Sequence, residues 1–139
     1  SLRKVKTGVS PVPAGGLSKD RRVRSRRDFR RIQEHGSRLQ TRHFIFIFAN
    51  NPAAEGQKPA ARLGMVVSRK VGNAVARNRV KRLLREAFRA TGSLFRDGLD
   101  VVVIARSTRD DWSLSHVVAE WSGAEDRIKR LSARLALAR

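Results

Sequence analysis

Apolar positions along the middle of the chain change period once, and that change marks its clearest feature. Residues 62 to 68, rich in Leu and Val, read as a strand. Gly72 then supplies a turn and Asn73 a helix N-cap. Beyond it Ala76, Val80, Leu83, Leu84, Ala87 and Phe88 recur at the i, i+4, i+7, i+8 spacing of a core-facing helical stripe. Lys81, Arg82, Arg85 and Arg89 stand on the opposite side, and Arg77 and Arg79 flank the stripe near the helix start.

Upstream, residues 43 to 48 alternate Phe44, Phe46 and Phe48 with Ile45 and Ile47. Both faces are apolar, which predicts a strand that is central or half open to a ligand. A short helical pattern precedes it over residues 28 to 35, with Asp28 near its start and Gly36 closing it. Residues 50 to 59 read as a polar loop. After the basic helix, a loop around Gly92 to Gly98 leads into a strand over residues 99 to 105. A last helix is predicted from Ser113 or Ser115, with Leu114, Val117, Val118, Trp121, Ile128, Leu131 and Leu135 at helical spacing. Strand, helix and strand between residues 62 and 105 form a βαβ crossover.

The 139 residues, 40% of them hydrophobic, suffice for a single core. Residues 1 to 17, with Gly8, Pro11, Pro13, Gly15 and Gly16, read as a flexible basic tail, and residues 18 to 139 as a single domain. Charge sharpens this outline: 31 Lys and Arg against 12 Asp and Glu leave +19, which points to nucleic acid ahead of an anionic membrane surface. Residues 1 to 98 carry 24 basic and 6 acidic side chains, whereas residues 99 to 139 carry 7 and 6, so the C-terminal part is mostly scaffold. Between residues 69 and 89 eight cations face one acid, Glu86. Such a self-repelling face makes sense when an external polyanion neutralises it. The absence of Cys removes disulfides and thiolate metal sites, and the cytoplasm is the default location. No apolar run has the length of a membrane span, and the N-terminal residues lack the apolar core of a signal peptide.

Catalytic constellations are missing. His35, His43 and His116 are scattered without metal-binding spacing. Asp110 and Asp111 are adjacent, a poor arrangement for an acid/base pair, and are expected to shape the turn before the last helix. Neither a phosphate-binding GxxxxGK[ST] loop nor a nucleophile signature is present. Phe29 sits among Arg26, Arg27, Arg30 and Arg31. It can stack on an unpaired base, worth about 1–3 kcal/mol, or pin the short helix to the sheet together with Ile32. The two roles are compatible if Phe29 lines the edge of a cleft. Trp112 and Trp121 are expected to pack in the core.

The run Val-Ser-Arg-Lys-Val-Gly-Asn-Ala-Val-Ala-Arg-Asn-Arg-Val-Lys-Arg over residues 67 to 82 resembles the signature of the protein subunit of bacterial ribonuclease P, with Arg77, Asn78 and Arg79 at its centre. Arg26-Arg-Asp-Phe-Arg30, Arg42-His-Phe44 and Leu99-Asp-Val-Val-Val-Ile-Ala-Arg106 follow the same family's order, and the likeness runs from about Leu17 to Leu135. It implies an α+β fold, a two-layer α/β sandwich with a roughly four-stranded sheet and three helices. That fold resembles the second domain of a small-subunit ribosomal protein, with a left-handed βαβ crossover against the usual right-handed rule.

The resemblance also implies a function: assisting a catalytic RNA in endonucleolytic removal of the 5′ leader from precursor tRNA. Mg²⁺ would be bound mainly by the RNA. Arg69, Lys70, Asn73, Arg77, Asn78, Arg79, Lys81, Arg82 and Arg85 are the implied contacts to the catalytic RNA, and Phe29, Ile45 and Ile47 the implied leader-binding cleft. Gln33 stands where relatives often carry a second aromatic, and Ile47 where they often carry an aromatic. The alternative is a general or ribosomal RNA-binding protein of the same fold without a role in tRNA processing. A membrane binder is disfavoured, because the charged helix also carries the core stripe and sits between two strands.

Overall fold

The alternating Phe and Ile residues set up two layers on one sheet. In the computed structural model, which describes residues 17–54, 59–107 and 112–137, β2 (Phe44–Asn50) sends its three Phe rings to one side and Ile45, Ile47 and Ala49 to the other. It pairs antiparallel with β1 (Ser37–Gln40) and with β4 (Leu99–Ala105). β4 pairs in parallel with β3 (Arg62–Val67), so the order is β1-β2-β4-β3. β2 is therefore interior, as its two apolar faces predict. The crossover between β3 and β4 runs through α2 (Ala74–Ala90).

The inner face carries α2, α3 (Leu114–Gly123) and α4 (Glu125–Leu137). Phe44, Phe46, Phe48, Leu84, Phe88 and Trp121 are buried there, each contributing about 1.5–3 kcal/mol by leaving water. Trp121 meets Phe44, Phe46 and Phe95 edge-on, with centroids 5.4–5.9 Å apart, a favourable geometry for ring quadrupoles. Leu17 is buried in this same cluster, so the domain begins one residue earlier than the sequence suggests. Its burial removes Leu17 from the predicted tail, whose residues 1–16 lie outside the described residues.

The C-terminal helix predicted as one is two, which makes four α-helices among the described residues instead of three. The break is at Ala124, whose φ of −101° and ψ of 9° leave helical geometry and whose N–H bonds back to the Trp121 carbonyl at 3.0 Å. Gly123, a weak helix former, precedes it. The bend lets Trp121 and Ile128 both reach full burial on the curved sheet. α1 (Arg26–His35) lies alone on the outer face. It starts two residues before the predicted Asp28, because Ser25 is the N-cap and its hydroxyl accepts from the Asp28 N–H at 3.0 Å.

Candidate nucleic-acid interface

α2 presents the predicted cationic face. Asn73 caps it, accepting from the Ala76 N–H at 3.0 Å, and Gly72 makes the preceding turn at φ +148°, a conformation L side chains rarely adopt. Val80, Leu83, Leu84, Ala87 and Phe88 are buried, so the remaining sides of the helix must face outward. Arg69, Lys70, Asn73, Asn78, Arg79 and Arg82 are exposed, and Arg77, Lys81 and Arg85 are half-buried. No ion pair among the described residues neutralises any of these cations.

Two of them do more than face solvent. Arg79 Nη2 donates to the Trp112 carbonyl, tying α2 to the approach of α3. Arg77 is half-buried, and its Nε has no hydrogen-bond partner among the described residues. Arg82 and Lys81 lack such ties, so their charge is available to an external anion.

The outer face of the sheet is built in three rows, fixed by the register of β2, β4 and β3. Ile45, Ile104 and Val66 form the first row and are all half-buried, with no helix above them. Ile47, Val102 and Gly64 form the second, which lies under α1; Ile47 is 1% exposed, packed with Ile32. Ala49, Asp100 and Arg62 form the third.

This placement corrects one predicted site residue. Ile47 shares a face with Ile45, but α1 seals it, so it cannot meet a ligand as the surface stands. The apolar strip that α1 leaves partly open consists of Ile45, Ile104 and Val66, all half-buried, bordered by Phe29, which is half-buried against Gly64. Phe29 therefore both pins α1 and lines the edge of the strip. At the strand ends beside Ile104 a hollow of about 430 Å³ is rimmed by Arg42, Lys70 and Arg106. Ile104, Val66, Arg42 and Arg106 were not singled out from the sequence as site residues; their apolar or basic character is ordinary, and only the register places them together.

The third row anchors α1. Asp100 is fully buried, and Arg62 reaches it with Nε and Nη2, both at 2.7 Å. Arg31 of α1 adds a third contact at 2.7 Å and also donates to the Asn50 carbonyl at 3.1 Å. The hydrogen bonds to Asp100 hold the Arg62 guanidinium above its ordinary pKa, outweighing burial, which acts the other way. Asp28 joins at 3.2 Å from Arg31.

The histidines take structural roles. His43 Nδ1 lies 2.7 Å from Glu120 Oε1, and His116 Nδ1 accepts from the Ser113 N–H at 3.1 Å in a capping box. Trp112 and Trp121 are buried, as predicted. Asp110 and Asp111 lie outside the described residues. Among the described residues no group of His, Asp and Glu is placed to hold a metal ion, and no helix is long and apolar enough to cross a membrane.

The chain is similar in sequence and in fold to known ribonuclease P proteins. Residues 17–129 match the Ribonuclease P family. The ribonuclease P protein component of Syntrophus aciditrophicus is 39% identical over 104 residues, covering 75% of this chain and 83% of its own length. That of Shouchella clausii is 40% identical over 101 residues, covering 73% and 80%. The RNase P protein of Staphylococcus aureus superposes with a TM-score of 0.65 at 32% identity, over 80% of this chain and 96% of that one. The protein from Thermotoga maritima gives 0.62 at 34% identity, over 76% and 96%. The chain belongs to the ribonuclease P protein family, the protein components of a tRNA-processing endoribonuclease whose catalysis is attributed to its RNA.

Proposed function

We propose that this chain binds two RNAs on two faces: the catalytic RNA on the cationic face of α2, and the 5′ leader of precursor tRNA on the outer face of the sheet. The observation that carries the second half is the uncovered row Ile45, Ile104 and Val66. It is an apolar strip bordered by the Phe29 ring and ended by Arg42, Lys70 and Arg106. Apolar surface with one aromatic edge suits unpaired bases, and the terminal cations suit the phosphates that follow. Leader contact made only by precursor would favour precursor over mature tRNA, which is differential binding and not chemistry by the protein.

The α2 face supports the first half. Its unpaired cations exceed what helix stability needs, and they match a surface from which bound phosphates release counterions. Mg²⁺, held mainly by the RNA, would supply the metal-activated water. The protein's own residues would bind and orient. A cytoplasmic location follows from this reading, since precursor tRNA is made there.

Single-turnover cleavage of a precursor tRNA at low Mg²⁺ tests it, with bacterial ribonuclease P RNA alone, protein alone, and both. Cleavage that needs both, or is far faster with both, and that declines as the leader is shortened is the expected result. Equal rates with full-length and one-nucleotide leaders would remove the outer face from leader binding. No gain over RNA alone, with tight binding to unrelated RNAs, would favour a general RNA-binding role.

A further inference from the structure

A second cationic surface stands at the sheet edge remote from α2. Between α4 and β1 lies a groove of about 780 Å³, with Leu39 and Leu131 in its floor and Arg38, Arg127, Arg130 and Arg134 around it. All four guanidinium groups are on exposed residues, and no acid lines the groove. Arg127, Arg130 and Arg134 recur at i, i+3 and i+7 and so share one side of α4, spread along about 10 Å of its axis. Lys129, the remaining cation of this stretch, pairs with Glu125 at 2.8 Å on the other side of the helix. Arg38, Arg127 and Arg134 form no ion pair among the described residues, and Arg130 reaches only the Asp126 carbonyl at 3.4 Å.

We infer that this groove is a third RNA-binding site, one that takes the phosphate backbone of a base-paired RNA segment. The four cations are all arginine, whose planar fork bonds phosphate oxygens in pairs, and the protein's +19 charge draws polyanions to it. No aromatic ring lines the groove, so unpaired bases find nothing to stack on there. An acidic peptide adding to the β1 edge is the weaker fit, because β1 is only four residues long and offers few backbone hydrogen bonds. β1 and β3 are the opposite edges of the sheet, three strand spacings or about 14 Å apart. α2 packs on β3 and α4 on β1 and β2, so the α2 face and this groove address different RNA segments. The family match ends at residue 129, which leaves Arg130 and Arg134 beyond it.

The inference stands apart from the leader reading, and its test separates the two. The full chain would carry Arg127→Ala, Arg130→Ala and Arg134→Ala together, exposed positions where Ala keeps the helix. Binding to bacterial ribonuclease P RNA, titrated across salt, is expected to weaken at least tenfold near 0.15 M, with the log–log salt slope falling by about 3. The melting temperature and the preference for leader-bearing over leaderless tRNA should not change. The chain has no Cys, so Ala133→Cys gives one unique thiol in the groove wall for a tethered hydroxyl-radical source. Cleavage of base-paired RNA distinct from that seen with a probe at Asn78→Cys is the expected pattern. An unchanged salt slope, or no cleavage from position 133, overturns the inference. So does loss of binding to a polyglutamate peptide in the triple variant with RNA binding intact, which would assign the groove to an acidic protein partner.

Discussion

The Phe29 ring lies so close over Gly64 that a Cβ at residue 64 would stand 2.9 Å from its Cε1 and Cζ atoms. The same Cβ would press on Val102 Cγ2 at 3.2 Å, so the ring cannot be accommodated by a shift of the strand alone. Gly64→Ala should therefore swing Phe29 off the sheet and loosen α1. Overpacking of this kind costs about 1–3 kcal/mol, readable as a lower urea midpoint. Because Phe29 borders the uncovered strip, discrimination between leader-bearing and leaderless tRNA should fall in the same variant. A stability loss with leader discrimination unchanged would confine Phe29 to packing.

Asp100 holds α1 from below. Its carboxylate is fully buried and takes three contacts at 2.7 Å from Arg31 and Arg62, whose side chains are 26% and 18% exposed. Removing the acid strands two cations that are only partly open to water. Asp100→Ala is expected to cost about 3 kcal/mol, the low end for breaking a buried pair, since both guanidinium groups can still turn toward solvent. Arg62→Ala should cost more than Arg31→Ala, because Arg62 supplies two of the three contacts. Urea denaturation of the three variants decides the order.

On α2 the exposed cations separate by what else they touch. Arg82 has no hydrogen bond or ion pair among the described residues, whereas Arg79 donates to the Trp112 carbonyl. Arg82→Ala should weaken binding to the catalytic RNA and lower the salt slope by about 1 without moving the melting temperature. Arg79→Ala should lower both the slope and the melting temperature. Equal melting curves for the two variants would mean that the Trp112 contact adds nothing to stability.

How far the sequence could be read follows from what periodicity encodes. The basic helix was legible, because Asn73 caps it, Gly72 turns into it and its apolar stripe from Val80 to Phe88 matches the residues that are buried, with Ala76 half-buried. β1 was invisible: of Ser37, Arg38, Leu39 and Gln40 only Leu39 is apolar, and β2 recruits the segment through backbone pairing. Periodicity placed Ile45 and Ile47 on one face but could not say that α1 covers one and spares the other. Nor could it show that Asp100, a lone charge in an apolar run, meets an arginine 69 residues away. A charged residue inside an apolar strand was the one available signal, since burial without partners is too costly to persist. The α4 groove needed both an unread strand and a helix break that the regular spacing of Leu114 to Leu135 conceals.

Glu120 makes the stability of the strand end beside Ile104 depend on acid. One of its carboxylate oxygens accepts from Thr41 Oγ1 at 2.6 Å and from the His43 N–H at 2.8 Å, and the other lies 2.7 Å from His43 Nδ1. Burial pushes the Glu120 pKa up, but the hydrogen bonds from Thr41 and His43 outweigh it and leave the carboxyl below its ordinary value. A group lowered by folding stabilises the native state above its unfolded pKa, about 4.3 for Glu. That stabilisation disappears as pH falls through the folded value. Glu120→Gln turns an amide toward donors that need an acceptor, so it should melt earlier than the parent near neutrality. The gap should narrow as pH drops from about 6 to about 3, because the parent then loses the same carboxylate. A gap that stays constant over that range would show that Glu120 acts through packing alone. Arg42, on the rim of the hollow beside Ile104, lies in sequence between the two residues Glu120 holds. Leader discrimination by Glu120→Gln should therefore fall at neutral pH even where the fold persists, a loss that binding to leader-bearing and leaderless tRNA would reveal.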